Sequence, residues 1–178
     1  CAHHLVKAFQ ILKTDMKCVI VGDAAYAESY KAELYALANH DPRIVFTGYV
    51  FGKGYLELGS NAYLFVETSG VGGTHPALIE AMAFGNCVIT HNTPENLETI
   101  GKAGFSYDGK IGAESLQEIL TKLIENPELV QEYRSLARNR AVSTYTWEAV
   151  TDEYERLFYQ VLNRSIPSRL QMPGIRDS

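Results

Sequence analysis

"AYLFVETSGVGGTHPALIEAMAFGNCVIT", residues 62–90, contains an apolar run, a glycine-rich loop, a proline-led helical stretch and a second apolar run. Both runs, 62–68 and 86–90, are continuous rather than alternating, as in strands covered on both faces of a parallel sheet. Pro76 suits the first turn of a helix, where its missing N–H costs nothing, and Gly85 supplies the stop. Strand, helix, strand is one crossover unit, and the same alternation extends outward. Further strands are expected at 17–22, 43–49 and 104–108, with helices at 2–13, 26–39, near 53–60 and at 95–101. This order predicts an α/β fold, a doubly wound parallel sheet with right-handed crossovers. After residue 108 the pattern becomes helical only, over 113–125, 127–142 and 146–162, with Asn126-Pro127 and Thr146 as start signals. One domain over 1–163 is expected, followed by an extended or mobile tail over 164–178.

Composition narrows the function. The 178 residues are 46% hydrophobic and 21% charged, ordinary for a globular domain, and their net charge of -5 disfavours nucleic acid. No run approaches the ~18 apolar residues of a membrane span. Cys1, Cys18 and Cys87 lack metal-site spacing, and Cys18 and Cys87 fall inside expected strands, so they read as free core thiols. His3 and His4 are adjacent and should point to different helix faces. The sequence opens without Met inside a helical pattern and is expected to be one part of a longer, two-domain protein.

The loops fail the best-known phosphate motifs. "GYVFGKGY" has the wrong glycine spacing for a P-loop, and Gly54 stands where Ser or Thr should follow Lys53. "GVGGTH" has His75 in place of the third dinucleotide-site glycine. What remains is a helix start after Gly72 and Gly73, a ready anion site, with Glu80 one turn deeper on the same face as Pro76. Two carboxylate oxygens match a vicinal diol, so phosphate at the helix start and ribose on Glu80 would suit a nucleoside diphosphate. A partly buried helix carboxylate paired with a distant Lys, Arg or backbone group is the equal alternative on spacing alone.

The block from 61 to 101, "NAYLFVETSGVGGTHPALIEAMAFGNCVITHNTPENLETIG", resembles the signature region of retaining GT-B glycosyltransferases of family four. "KCVIVGDAAYAESYKAEL", "RIVFTGYV" and "TYTWEAVTDEYERLF" extend the resemblance to about residues 2–162. It implies the Rossmann-like C-terminal, nucleotide-sugar-binding half of that fold, with an acceptor-binding half N-terminal to it. The implied reaction moves a hexose from a nucleoside-diphosphate sugar to a saccharide or lipid-linked acceptor, with retention and without a metal. "GGTHP" is similar to rhamnosyl- and mannosyltransferases of bacterial polysaccharide biosynthesis.

Carried onto this sequence, the family's second signature Glu falls on Glu80, as the ribose ligand. Main-chain groups of Thr74, His75, Pro76, Ala77 and Leu78 would meet the diphosphate; those of Gly48, Tyr49 and Val50 would face the base. Gly22 and Asp23 would line the mouth of the cleft. The first signature Glu falls on Gly72, which leaves sugar hydroxyls to backbone N–H groups around Gly73 or to His75. His75 is also the candidate catalytic acid. The family's diphosphate-binding Arg and Lys would precede "HHLVKAF", so the domain alone is expected to bind donor weakly and catalyse nothing. A nucleotide-sugar 2-epimerase and a non-catalytic nucleotide-binding module are the competing readings. The implied location is cytoplasmic or peripheral at the inner membrane face.

Overall fold

A computed structural model describes residues 1–71 and 73–170. Strands and helices alternate as β1 (Cys18–Val21), α2 (Glu28–Ala38), β2 (Ile44–Gly48), α3 (Gly52–Asn61), β3 (Leu64–Glu67), α4 (Pro76–Ala83), β4 (Cys87–His91), α5 (Pro94–Ile100) and β5 (Phe105–Tyr107), preceded by α1 (Ala2–Ile11). Three helices follow: α6 (Ala113–Glu125), α7 (Pro127–Thr144) and α8 (Trp147–Val161). The expected α/β class is observed. Every strand pair is parallel, but the strands fall into two ladders, β1–β2 and β3–β4–β5. The usual doubly wound order places a further strand between these two positions. None of the described residues supplies it, so β1 and β3 each keep one edge unpaired.

Helices join what hydrogen bonds do not. On one face α1 packs against both α2 and α6. There Val6, Phe9, Leu12, Leu116 and Leu120 share a core with Cys18 and Ile44 of one ladder and Cys87 and Ile89 of the other. Val88, pointing oppositely from β4, meets Leu78, Met82, Ile100 and Ala137 on the second face. The residues of β4 from Cys87 to Thr90 are fully buried, as both-face coverage requires. Burial of each large apolar side chain there is worth roughly 1.5–3 kcal/mol. Val19, Val21 and Val45, the outward alternates of β1 and β2, are instead 38%, 44% and 39% exposed.

Local chemistry fixes the ends. Thr93 and Thr146 cap α5 and α8, their hydroxyls accepting from the N–H groups of Asn96 and Ala149. Asn126 precedes α7 without capping it; its side-chain amide donates to the Lys122 carbonyl at 2.6 Å, closing α6 instead. Gly85, with φ of 79°, ends α4 as its N–H donates to the Met82 carbonyl. Arg43 ties α1 to β2 by donating to the carbonyls of Leu12 and Thr14 at 2.7 and 3.0 Å while pairing with Asp41. Cys18 and Cys87 are buried free thiols, and burial pushes both up to about 12. Within the tail, Ser168–Leu170 form a 3-10 turn whose Leu170 is buried and accepts at its carbonyl from Arg156. Gly72 and the remainder of the tail, 171–178, lie outside the described residues.

Candidate functional site

The loops that carry the sequence-derived candidates emerge at the carboxyl ends of the strands, where open α/β sheets bind ligands. β1 and β2 end side by side: the Gly22 N–H donates to the Gly48 carbonyl at 2.8 Å, and both glycines have positive φ, 117° and 66°. Asp23 follows, held by Lys31 at 2.8 Å and by the Ala24 N–H at 2.7 Å, and the lysine keeps its carboxyl below the usual range. Beyond Gly48, Tyr49 stands exposed with its ring stacked on Phe51, centroids 6.0 Å apart. Val50 is half-buried and leads into α3.

At the end of β3, the Glu67 carboxylate accepts from the Ser69 N–H at 2.9 Å and starts the glycine-rich turn. Gly73 has φ of 120°, a conformation open to glycine but strained for other residues. Thr74 is exposed, and His75 is the N-cap residue of α4, with Pro76 at its first position. Leu78 and Ile79 donate to the His75 carbonyl at 3.0 and 3.3 Å, so the helix begins there with its first N–H groups beyond reach of intrahelical carbonyls. His75 makes no capping bond through its ring, and its buried Nε2 has no hydrogen-bond partner. The side chain of Leu78 is fully buried, so only its main chain can meet a ligand. Ala77 and Glu80 are exposed.

Glu80 has a partner the sequence did not disclose. The Tyr55 hydroxyl, from α3, donates to Glu80 Oε2. Burial, then the bond to Glu80, pushes the Tyr55 phenol up to about 12, so it remains a donor throughout the physiological range. Among the described residues no Lys or Arg pairs with Glu80, which disfavours the cation-paired alternative weighed from the sequence.

A second group at the strand ends also escaped sequence reasoning. His3 and His4 do point apart, to the Tyr30 hydroxyl at 2.9 Å and the Tyr107 hydroxyl at 3.3 Å. Burial first, then nearby positive charge, lowers both imidazoles below their ordinary range. His91, at the end of β4, lies edge-on to Tyr107, its ring against Gly70 and Gly109. No spacing rule brings residues 4, 91 and 107 together; only the crossover topology does. The cavity of about 420 Å³ between the end of α7 and α8 includes none of the candidates.

Residues 2–140 match the family described as "Glycosyl transferases group 1". The chain belongs to that family. The group 1 chain is similar in fold to the sucrose-phosphate synthase (tll1590) of Thermosynechococcus elongatus, with 24% identity and a TM-score of 0.74, over 92% of this chain and 42% of that one. Anabaena Alr3699/HepE, in complex with UDP and glucose, gives 22% identity and a TM-score of 0.75, over 90% and 44%. The C-terminal domain of the group 1 protein LpcC of Francisella tularensis gives 20% and 0.69, over 82% and 80%. The group 1 chain therefore spans less than half the length of the first two. No curated protein matches it. Membership makes it a glycosyltransferase domain with the Rossmann-like architecture of the GT-B fold.

Proposed function

We propose that this chain is the donor-binding domain of a retaining glycosyltransferase of family four, which moves a hexose from a nucleoside-diphosphate sugar to a saccharide or lipid-linked acceptor. The observation that carries the reading is Glu80. It is an exposed carboxylate one turn inside a helix whose N-terminus opens at the carboxyl end of β3. The helix start attracts a diphosphate through its free N–H groups and dipole, and the carboxylate accepts from the ribose hydroxyls. The two are one turn apart on one face, as the diphosphate and ribose of one nucleotide require.

The base lies against the main chain of Gly48, Tyr49 and Val50, and Gly22 and Asp23 border the cleft. The sugar meets backbone N–H groups around Gly73 and Thr74, or the unpartnered imidazole nitrogen of His75. His75 is then the residue of this half best placed to exchange a proton near the leaving oxygen. The reading calls for no metal, because the helix start and the Arg and Lys that the family resemblance implies would neutralise the diphosphate. HepE structures in complex with UDP and UDP-glucose support a nucleotide sugar as donor, and UDP-sugars are the first to try. The GGTHP loop favours a rhamnosyl or mannosyl donor in bacterial polysaccharide biosynthesis. Catalysis requires the acceptor-binding half, so the domain alone is inactive. We place the enzyme in the cytoplasm, peripheral to the inner membrane when its acceptor is lipid-linked; among the described residues no helix is long and apolar enough to cross a membrane.

A thermal-shift screen of UDP-, GDP- and dTDP-sugars on the full-length protein tests the assignment. One donor class should raise the melting temperature, and Glu80→Ala should abolish most of the rise. Equal shifts in both proteins would remove Glu80 from the ribose site.

A further inference from the structure

We propose that Tyr55 is the positioning residue for Glu80, locking the carboxylate in the orientation that selects a ribose over a deoxygenated sugar in the nucleotide. The inference rests on the ribose reading of Glu80. An exposed glutamate has three side-chain torsions and samples many rotamers. Here the phenol of Tyr55 holds one oxygen, Oε2, from the neighbouring helix. The other oxygen stays available, and each carboxylate oxygen carries two acceptor sites, so two vicinal hydroxyls can still be received.

The identity of the partner matters. A lysine or arginine would neutralise the carboxylate and compete with the ribose as a charged donor. A neutral phenol orients Glu80 while leaving its full negative charge to strengthen the incoming hydroxyl bonds. On the same helix Glu57 pairs with Lys53, at 3.4 Å, while the phenol of Tyr55 goes to Glu80. Placement adds a second argument. Tyr55 lies five residues after Val50, in the first turns of the helix that the base-facing loop starts. The loop and the phenol are thus neighbours in the chain, and the phenol reaches the carboxylate directly.

The test compares UDP with 2′,3′-dideoxy-UDP by calorimetry on full-length wild type, Tyr55→Phe and Glu80→Ala, or the same pair built on whichever base the donor screen selects. Wild type should prefer the ribonucleotide, and Glu80→Ala should erase that preference. Tyr55→Phe should weaken the ribonucleotide by about fivefold, the worth of one oriented hydrogen bond, and leave the dideoxy compound unchanged. Equal weakening of both ligands in Tyr55→Phe would make Tyr55 merely structural and overturn the inference with the ribose site intact. Unchanged or tighter ribonucleotide binding in Tyr55→Phe would overturn it too, since Tyr55 would then be idle or a competitor of the ribose. A preference that survives in Glu80→Ala, or no preference in wild type, would overturn the ribose reading itself and the inference with it.

Discussion

A side chain at position 109 would stand 1.8 Å from His91 Nε2, and the His91 ring has little room to retreat, lying against Tyr107 with centroids 5.4 Å apart. Gly109→Ala should therefore cost about 1–3 kcal/mol by overpacking, read as a lower melting temperature. Asp41 behaves differently. Its hydrogen bonds from the Arg43 side chain and backbone hold its carboxyl down to about 2. A depressed carboxyl contributes stability above its unfolded value, and that contribution is lost as pH falls through the folded one. Between pH 4 and 2 the wild type should lose a stabilising increment that Arg43→Leu lacks already at pH 5; thermal melts across that range check it. Glu80 shows the limit of reading single residues. Its place on the helix follows from spacing, whereas its phenol partner comes from a helix 25 positions earlier, which no local pattern encodes.

Helix starts were legible wherever the cap was local. Thr146 caps α8 as its sequence context predicts, because an N-cap hydroxyl needs only the amide three residues on. Thr93 does the same for α5, and Thr93→Ala should cost about 1 kcal/mol in chemical denaturation, with the slope unchanged. The Asn126-Pro127 start signal holds as well, with Asn126 at the N-cap position of α7 and Pro127 first in the helix, although the preceding helix takes the Asn126 amide. Strands were legible through continuous apolar runs, although β1, β2, β3 and β5 are shorter than their runs and β4 is shifted by one residue. The outer residues of a run, such as Tyr63 beside β3, pack as loop residues against the same core. α4 joins both scales: Leu78, Ala81 and Met82 anchor it inward, which holds the exposed Glu80 at a fixed height above the sheet.

Across the molecule, the parallel α/β class followed from the alternation of runs, and the division into two ladders did not. Sequence periodicity reports which segments are strands and how they are covered; it carries no information on which strand edges meet. Leu116 illustrates the core that spans the division, since it is fully buried on α6 within the cluster shared by α1 and both ladders. Leu116→Ala should cost about 2–5 kcal/mol and lower the unfolding midpoint accordingly.

The spacing of the strand pairings along the chain also sets an order of assembly. Each ladder pairs strands that are close in sequence, joined by one crossover, so each closes over a short loop. The contact between His4 of α1 and Tyr107 of β5, 103 positions apart, closes a far longer loop, on the face where α1 also packs against α6, and forms after the local pairings. Native-state hydrogen exchange should resolve two cooperative units, with β1 and β2 amides opening at lower denaturant than those of β4. A single exchange isotherm for all five strands would contradict this. The nucleotide cleft proposed above draws Gly48 from one unit and Glu80 from the other, so its geometry exists only once the last, slowest contact has formed.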